Sequence, residues 1–172
     1  MKKIHMKKKA TPLSSLFLEE LKNVLGAETH QLVLFPMLKR ACCCQPLRNI
    51  MARGLDDAKE HIARLEQIFS ILGEKAMASP PEGILGLGRE AEQVIASTAA
   101  GSATRDVGLV MVTQQIKHYA IAAYGQLTQL ARDLELDEVL DLLEITLNEE
   151  KEADELLTAV AENYVNADAA RE

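Results

Sequence analysis

The stretch LDEVLDLLEITLNEEKEADELLTAVAENY, residues 136–164, decides the fold. Within it Leu136, Leu140, Leu143, Leu147, Glu150, Asp154, Leu157, Ala161 and Tyr164 follow one another in steps of four and three. That spacing places all nine on one stripe of a long helix. Seven of them suit a core. Glu150 and Asp154 are carboxylates one turn apart in the middle of the stripe. A buried carboxylate is costly unless it is paired, protonated or bound to a cation. The helix therefore raises the question of what neutralises this pair.

Three further stripes accompany it. Ser14 or Ser15 is a plausible cap for a first helix that runs to about Cys43, with Phe17, Leu21, Val24, Glu28, Gln31, Phe35, Leu38 and Cys42 on one face. Pro36 lies inside it and should kink it or split it at Phe35. A second helix follows the Gln45-Pro46 turn and stops at Gly73, with Leu47, Met51, Gly54, Ala58, His61, Leu65, Ile68 and Leu72 on its stripe. Asp57 precedes His61 by four residues and shares its face. The Pro- and Gly-rich segment from Gly73 to Gly101 reads as a long connection holding a short helix from about Arg89 to Thr98. A third long helix spans about Ala103 to Asp133, with Leu109, Thr113, Ile116, Ala120, Ala123, Leu127, Leu130 and Leu134 aligned. Asp133 to Asp137 is a tight link to the fourth. Two hairpins of long helices joined by a crossover imply an all-α, antiparallel four-helix bundle. The expected organisation is a basic tail over 1–12, the bundle over 13–165 and a short C-terminal tail over 166–172.

Composition agrees and narrows the function. Of 172 residues 48% are hydrophobic, yet only 3% are aromatic and none is Trp, a helix-favouring balance. The net charge is −7, and five lysines sit in the first nine residues, so the rest of the chain carries about −12. A body of that sign does not suit nucleic acid; only the tail could hold phosphate, and weakly. No apolar run is long enough for a membrane span, and Met1 to Ala10 has no apolar core resembling a signal peptide, so the expected compartment is the cytoplasm. Cys42, Cys43 and Cys44 are adjacent and fit neither a disulfide framework nor a zinc motif. They read as small apolar residues at a helix end, with a vicinal redox pair as the alternative.

Antiparallel helices of similar length bring their midpoints to one height. Glu28, Asp57, His61, Glu150 and Asp154 should therefore converge. Four carboxylates and an imidazole are donors that suit iron, manganese or zinc. The third helix offers no carboxylate there. Its mid-height residues are Lys117, His118, Tyr119 and Ala120, and its one acid between Ala103 and Arg132 is Asp106. Each candidate has a plainer reading: Glu28, Asp57 or the Glu150–Asp154 pair on a wet flank, His61 as a core histidine bonded to a carboxylate. Tyr119 and Tyr124 read as packing residues.

Four segments carry a resemblance: residues 18–28 (LEELKNVLGAE), 60–69 (EHIARLEQIF), 118–125 (HYAIAAYG) and 146–155 (TLNEEKEADE). Together they resemble the YciE/YciF family of ferritin-like bacterial proteins, over about residues 14–162. The resemblance implies a ferritin-like four-helix bundle, a homodimer, an association with stress responses and a carboxylate-rich dinuclear metal site. Its ligands would fall on Glu28, Asp57, His61, Glu150 and Asp154. The chain departs from the family pattern Glu-His-Tyr-Glu at Lys117-His118-Tyr119-Ala120, from its Tyr at Leu25, and from its Glu at Asp57.

Three functions follow. The first is a ferritin-like protein whose altered site holds one or two ions. The second is a metal-free structural or protective bundle in which Lys117 and His61 neutralise the carboxylates, Lys117 reaching inward past Ala120. The third is a nucleic-acid role through the basic tail. Oxidase or ferroxidase chemistry needs two metals with open positions, and the third-helix gap argues against it. No Ser/His/Asp set, phosphate loop or paired-Cys motif offers another enzyme class.

Overall fold

A computed structural model describes residues 11–172. The five-lysine segment of the basic tail lies outside the described residues. The first helix, α1 (Pro12–Ala41), starts one turn earlier than its serines suggest. Thr11 is the cap: its Oγ1 accepts from Ser14 N at 3.1 Å while Ser14 Oγ accepts from Thr11 N at 2.9 Å. Ser14 is thus the reciprocal partner in the box rather than the cap. Pro36 does not divide α1, which continues as one helix to Ala41. The tight turn at 42–44 leads to α2 (Gln45–Leu72), closed by Gly73 in the left-handed region at φ 73°.

The connection then runs back along α1. Ser79 N donates to the Lys22 carbonyl at 3.0 Å, and the crossover backbone passes so close to Gly26 that a Cβ there would lie 2.3 Å from Pro80 N. The crossover helix α3 (Glu82–Ser97) is longer than expected, starting seven residues before Arg89. It continues through Gly83 and Gly88 because those glycines serve close approach: a Cβ on Gly88 would meet His30 Nε2 at 2.6 Å. The bundle is completed by α4 (Ala103–Asp133) and α5 (Asp137–Val160). Helix α1 packs on α2, α4 on α5, and the two hairpins meet through α2–α5 and α1–α4 contacts. Helix α3 lies across α1 and α4. No strand occurs among the described residues, and no described helix is long and apolar enough to cross a membrane.

All eight stripe residues are buried in α1 and all eight in α2, in the phase expected. In α5 the phase slips. The buried set is Val139, Leu143, Thr146, Glu150, Ala153, Leu157 and Val160, so Leu136, Leu140, Leu147 and Asp154 stand on its flank. Past Val160 the helix widens into a π stretch, Ala161–Val165, before a last α turn, Asn166–Ala169. The extra residue in that turn delays the stripe by one. Val165 is consequently buried, and Tyr164, expected inside, is 54% exposed. The C-terminal segment folds back on the bundle, where Glu172 accepts from Ala103 N, Thr104 N and Thr104 Oγ1 at the start of α4.

The core is two apolar clusters stacked along the bundle. One holds Phe35, Leu38, Met51, Leu109, Ile116 and Leu157; the other holds Phe17, Leu21, Leu65, Ile68, Tyr124, Leu127 and Leu143. The polar layer between them is the candidate site.

Candidate metal centre

Each long helix contributes one buried ionisable side chain to this layer: Glu28 from α1, His61 from α2, Lys117 from α4 and Glu150 from α5. None is more than 2% exposed. His61 Nδ1 lies 3.3 Å from Glu28 Oε1 and 3.3 Å from Glu150 Oε1. Lys117 Nζ lies 2.8 Å from Glu150 Oε2. The Lys117 ammonium also stands 5.2 Å from the centre of the Phe35 ring. That ring is seated on Gly54, where a Cβ would be 2.7 Å away.

A second tier of donors closes around the acids. Tyr124 Oη donates to Glu28 Oε1 at 3.0 Å, and Gln31 Nε2 donates to Glu28 Oε2 at 3.0 Å. On the far side of the imidazole, His61 Nε2 meets Glu149 Oε2 at 3.1 Å. Arg64 holds Glu149 through both guanidinium nitrogens, at 2.8 and 3.2 Å, and also donates to Thr146 Oγ1. Glu28, Glu149 and Glu150 are thus matched in number by His61, Arg64 and Lys117.

The electrostatics follow from these neighbours. Burial by itself pulls the His61 imidazolium down, but the close contacts with Glu150 and Glu28, and their charges, outweigh it and raise the group from 6.5 to about 10. Burial pushes the Glu150 carboxyl up, yet the Lys117 ammonium and His61 together bring it below its ordinary value. Burial, and then the Glu28 charge, drive the Tyr124 phenol well above its ordinary range. Tyr124 is therefore a hydrogen-bond donor in this layer as well as a packing residue.

Three of the five residues expected to converge do so. One donor atom each from Glu28, His61 and Glu150 lies within 4.8 Å of the others, a set that could hold a metal. Asp57 and Asp154 stand apart. Asp57 is half-buried beside Arg53, 3.6 Å from its Nε, with its carboxyl pushed up mainly by burial. Asp154 faces the outer side of α4, 3.4 Å from both His118 Nε2 and Gln114 Nε2. The phase slip in α5 explains its position: Ala153 takes the inward place.

Glu149, Arg64 and the Tyr124 hydroxyl belong to the layer without having been expected there. A signal for Tyr124 exists. Asp106, Val110, Thr113, Lys117, Ala120, Tyr124, Leu127 and Ala131 are all buried and follow in steps of four and three. That seam passes through both Lys117 and Tyr124, one residue out of phase with the leucine-rich stripe. Arg64 offered the other signal, since a cation three residues beyond His61 requires an acid from a facing helix.

A dinuclear carboxylate centre does not fit this donor set. Such centres draw on four carboxylates and two histidines, whereas two carboxylates and one histidine converge here. The ammonium of Lys117 takes the flank of Glu150 that a second cation would need. Neither Glu150 oxygen has a hydrogen bond of good geometry, so close ionic contact is what satisfies it. A single ion would have to displace the His61 proton, which the Glu28 and Glu150 carboxylates favour.

The cysteines play no part. Cys42 donates its thiol to the Leu38 carbonyl, and Cys43 Sγ lies 3.0 Å from Asp106 Oδ2. Burial raises Cys42 to about 12, and burial with the Asp106 contact raises Cys43 to about 11. Cys42 is a buried packing residue and Cys43 is exposed, and thiols held protonated in this way do not favour the vicinal redox reading.

Comparison with known proteins places the arrangement among relatives. Residues 12–170 match the family model described as Domain of unknown function (DUF892). Protein YciF of Escherichia coli K12 is 32% identical over 155 residues, covering 90% of this chain and 93% of YciF. The crystal structure of the E. coli stress protein YciF superposes with a TM-score of 0.85 at 30% identity, over 91% of this chain and 99% of that one. YcfI of Rhodopseudomonas palustris gives 0.85 at 29% identity, over 90% and 98%. A protein of Xanthomonas campestris shares the fold alone, at 0.70 and 20% identity over 94% and 98%.

Proposed function

The chain belongs to the DUF892 family and is a relative of the stress protein YciF, and from that premise we propose that it serves as a stress-associated, non-enzymatic ferritin-like bundle in which Lys117 and the His61 proton stand where metal would be held. One observation carries this reading: the Lys117 ammonium lies 2.8 Å from Glu150 Oε2 in a layer where both residues are buried. An ammonium in a water-poor interior favours the ionised carboxylate as a cation would. The cluster then joins four helices through charge without needing an ion, and offers no open coordination position for oxygen chemistry. The resemblance to YciF supports a homodimer as the setting for this role.

A second reading rests on the convergence of Glu28, His61 and Glu150. In it one iron, manganese or zinc ion replaces the His61 proton. Lys117→Glu separates the two. It removes the internal cation and adds a carboxylate at the same height. We expect the variant, expressed with iron and manganese, to take up about one ion per chain or more that the parent lacks. Equal metal content in parent and variant, whether high or absent, would overturn the assignment to Lys117.

A further inference from the structure

On the outer side of the α1–α2 hairpin, away from the polar layer, lies an open hollow of about 470 Å³ lined by Pro36, Lys39, Arg40, Arg48 and Leu55. Its volume is in the range of small-ligand sites, and its charge is unusual for this molecule. Beyond the tail, fourteen Lys and Arg side chains face 26 Asp and Glu. Eight of the fourteen have a carboxylate within 4.0 Å. Among the described residues six have none, and three of those six are Lys39, Arg40 and Arg48, gathered in this hollow. Lys39 does act on the exposed Asp56, whose carboxyl it helps Lys59 to lower, but none of the three is ion-paired, and together they focus a positive potential on the concavity.

Local structure sharpens the point. Lys39 and Arg40 end α1, where the helix dipole favours cations. Arg48 stands in the first turn of α2 and makes no ion pair; Asp106 of α4 takes the N–H groups of Cys43 and Cys44 just before that helix instead. Arg48 is nonetheless held in place: Nη2 donates to the Cys42 carbonyl at 2.6 Å, and Nη1 lies 3.5 Å from Gln45 Oε1. A guanidinium so fixed, on a wall completed by Pro36 and Leu55, is preorganised to receive a planar or tetrahedral oxyanion.

We propose that the Lys39–Arg40–Arg48 hollow is a binding site for an oxyanion of the diphosphate class. A monophosphate carries roughly −1.5 to −2 near neutral pH, so three cations are matched better by two linked phosphoryl groups. The apolar wall of Pro36 and Leu55 would accept a non-polar substituent on such a ligand. The site is independent of the polar layer, and either proposal can fail without the other.

The test is calorimetric titration of the full chain with inorganic pyrophosphate at constant ionic strength. We expect saturable binding at one site per chain. Lys39 and Arg40 are exposed, so K39A/R40A should fold as the parent does, losing only their modest helix-end stabilisation, while binding at least about tenfold more weakly. R48K, which keeps the charge but loses the fork, should bind about threefold more weakly or worse. Absence of saturable heat at millimolar pyrophosphate, unchanged affinity in K39A/R40A, or binding of a short DNA duplex without binding of pyrophosphate would each overturn the proposal.

Discussion

His61 is the pivot of the polar layer, since its ring reaches Glu28 and Glu150 with one nitrogen and Glu149 with the other. Its consequence is a defined pH dependence. The folded-state group sits at about 10 against an ordinary 6.5, so the folded protein holds this proton more tightly than the unfolded chain. The stabilisation is complete below about pH 6.5 and is lost as pH rises toward 10. Glu150 has the opposite sign. Its folded group is lowered from 4.5, so its contribution is complete above that value and is lost as pH falls below it. Urea unfolding across pH should therefore show a plateau that declines on the alkaline side between about 6.5 and 10. His61→Gln should flatten that decline. An alkaline limb of the same slope in the variant would show that His61 does not carry the proton.

At the scale of the elements, α1 and α2 were legible because one unbroken stripe in each, eight residues long, is buried throughout. Glu28 and His61 were therefore placed correctly from spacing alone. Helices α4 and α5 carry leucines on both flanks of the true seam, because α3 covers one side of α4 and partly buried leucines such as Leu136, Leu140 and Leu147 pack at the margin of α5. Hydrophobicity then gives two stripes one residue apart; in α4 both are largely buried, and Lys117 with Tyr124, which mark the second, look like poor core residues. The glycines in the crossover misled for a related reason: Gly83 and Gly88 lie inside α3 and face Tyr119 and His30 of other elements, which spacing does not reveal; Gly26 of α1 is likewise fixed by the crossover's approach. Gly26→Ala should destabilise by about 2 kcal/mol or more, as its Cβ would meet crossover backbone at 2.3 Å. Gly125 lies in α4 with nothing within 4 Å of a Cβ, and Gly125→Ala should stabilise by about 0.5–1 kcal/mol. Denaturation midpoints of the two variants check the contrast. A tolerated alanine at 26 would mean that the crossover does not pack there.

For the whole molecule, the arrangement of four long helices was legible in the sequence, and so was the level of the site. Its content was legible only in part. Glu28, His61 and Glu150 converge; Asp57 and Asp154 were drawn in by spacing, yet each sits one step round its helix from the inward position. Glu149 and Arg64 look like ordinary flank residues until the facing helix supplies a partner. The balanced result, three acids against three bases between two apolar clusters, is a property of the assembled bundle rather than of any one helix. It makes the bundle's centre a store of charge contacts rather than a coordination sphere. The direct test of that claim is the metal content per chain of untagged protein produced with iron and manganese supplied, measured by elemental analysis. The account predicts a value near zero that reconstitution does not raise. A value near two, or a stoichiometric ion that is lost on Glu28→Gln or Glu150→Gln substitution, would contradict it.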